Sequence, residues 1–295
     1  MRKICIYDDL GSTAFSVQQL KKCMETIYSF SYKIELINAN QIRSGSLRER
    51  VENGDEMKVF LLCIGGGYDL GYLKALEETG CDEIRNYVLA GGNYLGICAG
   101  GYFAAQSIEF DLHGKYEVVG NRLGLFPGKA IGPVNADFQY NSEDGAKAIR
   151  CQFPSFARIT SPLDSTDLVI SLYLNGGFWL VPPANEERAT SSYEPIAYYC
   201  EEESNHEMMT RMESKQPIAM VKCSYGKGKC LLSGVHIEFN ANDLDSSNEN
   251  IELNVKHKIL ENNRLILADH HLNDAKFEMH SNYLFLNLLL NEIFV

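Results

Sequence analysis

Hydrophobic and polar positions along the first hundred residues switch repeatedly between two periods. Lys3 to Tyr7 is apolar after its first residue and reads as a strand. The turn Gly11-Ser12-Thr13 follows, and Val17, Leu20, Met24 and Ile27 then recur at helical spacing. Tyr32 to Ile37 returns to strand alternation, and Ile42 to Val51 carries a weaker helical pattern. Val59 to Ile64 is a continuous apolar run, as a strand covered on both faces requires, and it enters Gly65-Gly66-Gly67. Helical patterns over 70–78 and 83–89 come next, then Gly91-Gly92, then a short strand over Tyr94-Leu95-Gly96-Ile97. Strand and helix in regular alternation predict a parallel sheet with helices on both faces. Ligands of such sheets bind beyond the C-terminal ends of strands, so the loops after Tyr7, Ile64 and Ile97 are where chemistry is expected.

The second half is richer in strand patterns. Candidates are Glu117 to Gly120, Ala146 to Gln152, Leu168 to Leu174 and Ile196 to Cys200. Pro217 to Ser224 and Lys229 to Val235 flank Tyr225-Gly226-Lys227-Gly228, which reads as a hairpin turn. A polar stretch near 184–216, with Glu201-Glu202-Glu203, reads as a surface insertion. The last forty residues look helical, with Tyr283, Leu286, Leu290 and Ile293 on one face. No internal repeat is visible. The expectation is one domain over 1–295, an α/β fold of three layers and flavodoxin-like type. Its sheet should be mostly parallel with added antiparallel strands.

Composition narrows the class. Of 295 residues, 45% are hydrophobic and 22% charged, which excludes disordered and low-complexity chains and is enough for a sizeable core. Lys and Arg number 27 against 39 Asp and Glu, a net charge of −12 without any basic run, so neither nucleic acid nor an anionic membrane is expected as a partner. The apolar run at the N-terminus is too short for a signal peptide, and Tyr283 to Leu290 is too short to span a bilayer. Nine cysteines without a CxxC pair fit a reducing compartment, so a soluble, cytoplasmic protein is expected. His270-His271 beside Asp269 lacks any further ligand spacing and reads as a solvated face, so neither metal nor cofactor is expected. Oligomeric state leaves no signal in the sequence.

The chemistry concentrates at Tyr94-Leu95-Gly96-Ile97-Cys98-Ala99-Gly100-Gly101. A strand ends, a cysteine follows with small residues two positions to either side, and a helix begins: the spacing of a nucleophile elbow. Gly96 and Gly100 suit a strained turn with backbone packed close. The start of a helix would stabilise the Cys98 thiolate. A thiolate of this kind needs a base and an oxyanion hole. His236 is placed at the end of the apolar strand before it, and Glu238, two residues on, would face the same side and orient the imidazole. Backbone N–H groups of Gly66 or Gly67, beside that of Ala99, could hold an oxyanion.

Gly-Ile-Cys-Ala-Gly with a later His-x-Glu resembles the class I glutamine amidotransferase superfamily. The branch it is most similar to is the amidotransferase-like domain at the N-terminus of eukaryotic biotin–protein ligases. The segments that carry the likeness run in order from Ile4 to Phe239. They include Gly65-Gly66-Gly67-Tyr68-Asp69 with Tyr72, Tyr94 to Phe103, Leu125 to Pro133, Tyr173-Leu174-Asn175-Gly176-Gly177, and Ser233 to Phe239. The resemblance implies acyl or amide transfer or hydrolysis through a Cys98 thioester. His236 would be base and then acid, Glu238 its orienter, and a small-molecule or peptide amide the substrate. Asp69, Tyr72, Tyr102 and Asn175 are candidates for the pocket wall. The chain departs from the superfamily where Gly101 and Tyr102 replace the usual glutamine-pocket residue, and where His236-Ile237-Glu238 replaces His-Pro-Glu. Efficient glutaminase activity is therefore not expected. No Gly-Arg-Gly-Arg biotin-adenylate loop is present, so the chain is not expected to ligate biotin itself. The alternative is a non-catalytic binding or regulatory domain that keeps the scaffold.

Overall fold

The apolar runs of the first hundred residues become β1 (Lys3–Tyr7), β2 (Lys33–Ile37), β3 (Val59–Ile64) and β4 (Asn93–Ile97). They lie side by side in the order β2-β1-β3-β4, every neighbour parallel. In the computed structural model, the residues described are 1–52, 54, 56–111, 117–135, 137–140, 142, 145–154, 168–183, 192–200, 216–239 and 281–295. β3 and β4 are buried at every position. Because successive side chains face opposite sides of a strand, Leu61, Cys63, Leu95 and Ile97 enter one core while Leu62, Ile64 and Tyr94 enter the other. The first core is closed by α1 (Ala14–Tyr28) and α5 (Ser281–Phe294), where Leu286, Leu290 and Ile293 are buried. The second is closed by α2 (Ala39–Arg43), α3 (Asp69–Leu89) and α4 (Ala99–Ala104). The result is the three-layer α/β architecture.

Local chemistry decides where helices start and break. The Thr13 hydroxyl caps α1 by accepting from the Ser16 N–H at 3.3 Å. The weak helical pattern up to Val51 is shorter than expected: α2 stops at Arg43, and Gly45 (φ 86) leads into a single 3-10 turn, Ser46–Arg48. The two helical patterns after Tyr68 form one segment, α3, broken at Glu77 (φ 55, ψ −172).

The remaining strands are β5 (Ala105–Asp111), β6 (Glu117–Asn121), β7 (Phe126–Gly132), β8 (Lys147–Phe153), β9 (Leu168–Leu174), β10 (Trp179–Val181), β11 (Tyr193–Tyr199), β12 (Ile218–Tyr225) and β13 (Gly228–Ser233). β13 adds to β4 in parallel, and its Ser233 lies opposite Ile97. From there the sheet continues through β12, β10, β7, β5 and β6, antiparallel except where β7 meets β5. β11 pairs with β12 and β8, and β8 with β9, all antiparallel.

Three strands escape the sequence pattern. β5 follows α4 without any Gly or Pro to punctuate the change, so helix and strand merge in the sequence. β7 contains Pro127 and Gly128, which read as turn residues, yet its pairing with β5 shifts register between Ala105 and Ser107, absorbing them. β10 has only three residues. The insertion expected near 184–216 needs correction: Tyr193–Tyr199 within it is a sheet strand. Its other parts, 184–191 and 201–215, lie outside the described residues, as do Asp269, His270 and His271. Among the described residues no helix is long and apolar enough to cross a membrane.

Candidate active site

Cys98 is the single residue between β4 and α4, and it turns the chain with φ 51 and ψ −114. Apart from glycines, only Glu77 shares a positive φ among the described residues. A conformation this costly for an L-residue persists only when its surroundings over-determine it. They do so here. The Cys98 N–H donates to the Ser233 carbonyl at 2.8 Å, and the Gly100 N–H donates to the Gly65 carbonyl at 2.9 Å. The Tyr94 hydroxyl donates to the Gly100 carbonyl at 2.8 Å. A side chain at Gly100 would run into the Ile64 carbonyl, so this close approach of turn and β3 requires glycine. The helix beyond is six residues long and fully buried. Cys98 itself is half-buried, its sulfur 3.9 Å from the Asn175 carbonyl oxygen.

His236 approaches from the other side of Cys98. β13 ends at Ser233, two residues earlier than expected, and the chain bends so that His236 forms an isolated bridge to Tyr173. The His236 N–H donates to the Tyr173 carbonyl at 2.9 Å. Its ring stacks on Phe239 at 4.4 Å and meets Tyr173 edge-on. Nδ1 lies 2.8 Å from Glu238 Oε1, and Glu238 is wholly buried. That contact occupies Nδ1, and the Cys98 side chain lines the same chamber as the ring. Burial works against a charged ring, but the hydrogen-bonded Glu238 carboxylate, helped by nearby Cys98, outweighs it and pushes the imidazole up to about 10. By contrast, burial pushes Cys5 up to about 12 and Cys81 to about 11, and raises Cys23, Cys63 and Cys230 as well.

The glycine loop after β3 is braced from three directions. The turn after β1 bridges to it, with Thr13 N–H donating to the Gly66 carbonyl at 3.2 Å and Tyr68 N–H to the Gly11 carbonyl at 2.8 Å. The Gly66 N–H donates to Ser16 Oγ at 2.7 Å, so of the two glycines proposed for an oxyanion hole Gly66 is already engaged. The N–H groups of Gly67 and Ala99 have no such partner among the described residues. A Cβ at Gly66 would lie 2.9 Å from His236 Cε1, which explains the glycine there. Ser16 had no signal in the sequence beyond its place in the first turn of a helix.

Two chambers meet at Cys98. One, about 40 Å³, is lined by Asp69, Ala99, Tyr102, Ile108, Phe110 and Val118 among others. The second, about 420 Å³, includes Phe15, Ser16, Tyr173, His236 and Phe239. Gly67, Tyr68, Phe138, Tyr140 and Asn175 border both. Of the expected wall residues, Asp69, Tyr102 and Asn175 are therefore at the chambers. Asp69 pairs with the buried Arg122, Tyr102 donates its hydroxyl to the Gly177 carbonyl at 2.8 Å, and Asn175 Nδ2 donates to the Ser142 carbonyl at 2.9 Å. Tyr72 is the correction: it is fully buried beneath the loop, its hydroxyl donating to the carbonyls of Gly65 (3.0 Å) and Gly66 (3.3 Å). The aromatic walls supplied by Phe15, Phe138 and Tyr140 were not legible in the sequence, since they come from the first turn of α1 and from a loop more than a hundred residues later. Among the described residues no cluster of His, Cys, Asp and Glu is arranged to hold a metal.

The family described as "Biotin-protein ligase, N terminal" matches residues 2–287. A biotin–protein ligase of Schizosaccharomyces pombe is 35% identical over 205 residues, covering 68% of this chain and 29% of the ligase. The chain thus spans less than a third of that relative's length. An uncharacterized protein of Chlamydia muridarum is 28% identical over 244 residues, 81% of each chain. Among solved structures, a Thermoplasma acidophilum protein described as a GMP synthase subunit aligns with a TM-score of 0.42 at 13% identity, covering 92% of this chain and 98% of its own.

Proposed function

The chain belongs to the biotin–protein ligase N-terminal family, and on that premise we propose that it is a cysteine hydrolase or transferase of amides or related acyl compounds. One observation carries the reading. His236, held by Glu238 at 2.8 Å, lines the same chamber as Cys98, and that chamber is large enough for a substrate.

In this reading His236 takes the Cys98 proton and frees the sulfur as nucleophile. The sulfur attacks the substrate carbonyl carbon, a C–S bond forms, and the carbonyl electrons move to oxygen, held by the N–H groups of Gly67 and Ala99. As the carbonyl re-forms, the bond to the leaving group breaks and that group takes the proton from His236 Nε2. A water then gives its proton to neutral His236 and attacks the thioester carbon. The C–S bond breaks, His236 returns the proton to the sulfur, the acid leaves, and the starting site is restored. Glu238 touches no reacting atom; it holds the ring orientation and favours its charge. Transfer in place of hydrolysis needs only another acceptor in water's position.

The test is peptide-resolved alkylation across pH. The expected result is Cys98 labelling ahead of Cys200, the other half-buried thiol, with a pH profile that moves upward in His236→Ala. Equal reactivity of the two, unaffected by His236→Ala, would give the site to a non-catalytic binding role.

A further inference from the structure

The two chambers differ in size, and only one of them contains the proton donor. Resting on the reading of Cys98 as nucleophile, we infer that the site takes uncharged esters or amides with a small apolar acyl group and an aromatic leaving group.

The orientation follows from which residues line which space. Ala99 borders only the smaller chamber and His236 only the larger. A carbonyl whose oxygen faces the Ala99 and Gly67 N–H groups directs its leaving group toward His236, because the leaving atom must collect the imidazole proton. The acyl chain is then left to the smaller side. About 40 Å³ there is room for roughly three water-sized groups, and hence for an acetyl-sized fragment. Its walls are Tyr102, Ile108, Phe110 and Val118, with Phe138 and Tyr140. The larger side, about 420 Å³, falls in the range of small-molecule pockets. Its apolar surface is aromatic, from Phe15, Phe138, Tyr140, Tyr173 and Phe239. Flat rings pack offset or edge-on against such walls.

Charge completes the selection. Besides the nucleophile Cys98, the only acidic or basic side chains among the described residues lining the chambers are His236 and Asp69. The first is paired with Glu238 and the second with Arg122. A charged substrate group entering either space would lose water without gaining a counter-ion, and that costs more than the apolar contacts return. When the thioester forms, a phenol or arylamine departs with the His236 proton.

The experiment uses the full chain with four esters: phenyl acetate, phenyl hexanoate, phenyl hydrogen succinate and 2,2,2-trifluoroethyl acetate. Each acylation rate of Cys98, followed by intact mass and phenol or alcohol release, is divided by that ester's own alkaline hydrolysis rate. Phenyl acetate should lead each of the other three by roughly tenfold or more, the scale on which pockets discriminate. Ile108→Ala, and separately Val118→Ala, should widen the smaller chamber and shrink the acetate-to-hexanoate ratio. Faster or equal acylation by the hexanoate, the succinate or the trifluoroethyl ester would overturn the inference while leaving Cys98 a nucleophile, as would a ratio unmoved in both variants. Acylation by none of the four, together with alkylation of Cys98 indifferent to His236→Ala, would overturn the nucleophile itself.

Discussion

Gly66 and His236 are 170 positions apart in the chain and within van der Waals reach in the fold: a Cβ on Gly66 would stand 2.9 Å from His236 Cε1. The glycine loop is therefore the floor on which the imidazole rests as well as the backbone beside the thiol. Gly66→Ala should push the ring away from Cys98 while the sheet beneath remains intact. The expected outcome is a Cys98 alkylation profile that coincides with that of His236→Ala, with little change in the unfolding midpoint. A Gly66→Ala protein that labels like the wild type would show that the ring does not depend on this contact.

Glu238→Gln should weaken Cys98 labelling in the same direction as His236→Ala and by less, because an amide still accepts from Nδ1 but no longer favours the ring's charge. Rate against pH for the three proteins orders them directly.

Stability should report the same pair. His236 is raised from 6.5 to about 10 in the folded protein, so folding binds its proton more tightly than the unfolded chain does. The resulting stabilisation is complete below pH 6.5 and fades as pH rises through about 10. Denaturant midpoints of wild type and His236→Gln should accordingly lie farthest apart near neutral pH or below and converge toward pH 10. A gap that widens with pH would contradict the pairing.

Ser16→Ala removes the oxygen that accepts from the buried Gly66 N–H at 2.7 Å. An amide left without a partner costs about 1–3 kcal/mol, so urea unfolding should show a loss in that range. Tyr72→Phe removes the hydroxyl beneath Gly65 and Gly66 and should cost about 1 kcal/mol by the same measurement.

Glutamine should be a poor substrate. Its acyl portion carries an ammonium and a carboxylate, while the smaller chamber offers Tyr102, Ile108, Phe110 and Val118, and an Asp69 already paired with Arg122. Ammonia release from glutamine should be far below the ~10 s⁻¹ of a typical enzyme. Turnover near that rate would mean that the acyl group lies elsewhere.

Local pattern determined a good deal of this protein. The continuous apolar run of Val59 to Ile64 could only be a strand covered on both faces, and Gly-x-Cys-x-Gly after another such strand could only close into a tight turn. His236 and Glu238 stand two residues apart, so their meeting needed no more than a bend in the chain. Tertiary structure decided what sequence distance conceals. Ser16 claims the Gly66 N–H from fifty residues away, which leaves Gly67 and Ala99 as donors. Tyr72 turns under the loop, because the second core accepts a large ring there and its hydroxyl needs the two glycine carbonyls. Strand β10 gains its hydrogen bonds from β7 and β12, both distant in sequence, and in β7 pairing with β10 and β5 outweighs the turn propensity of Pro127 and Gly128. The chamber walls come from helices, strands and loops that share no periodicity, and their size and charge arise only when the fold brings those segments together.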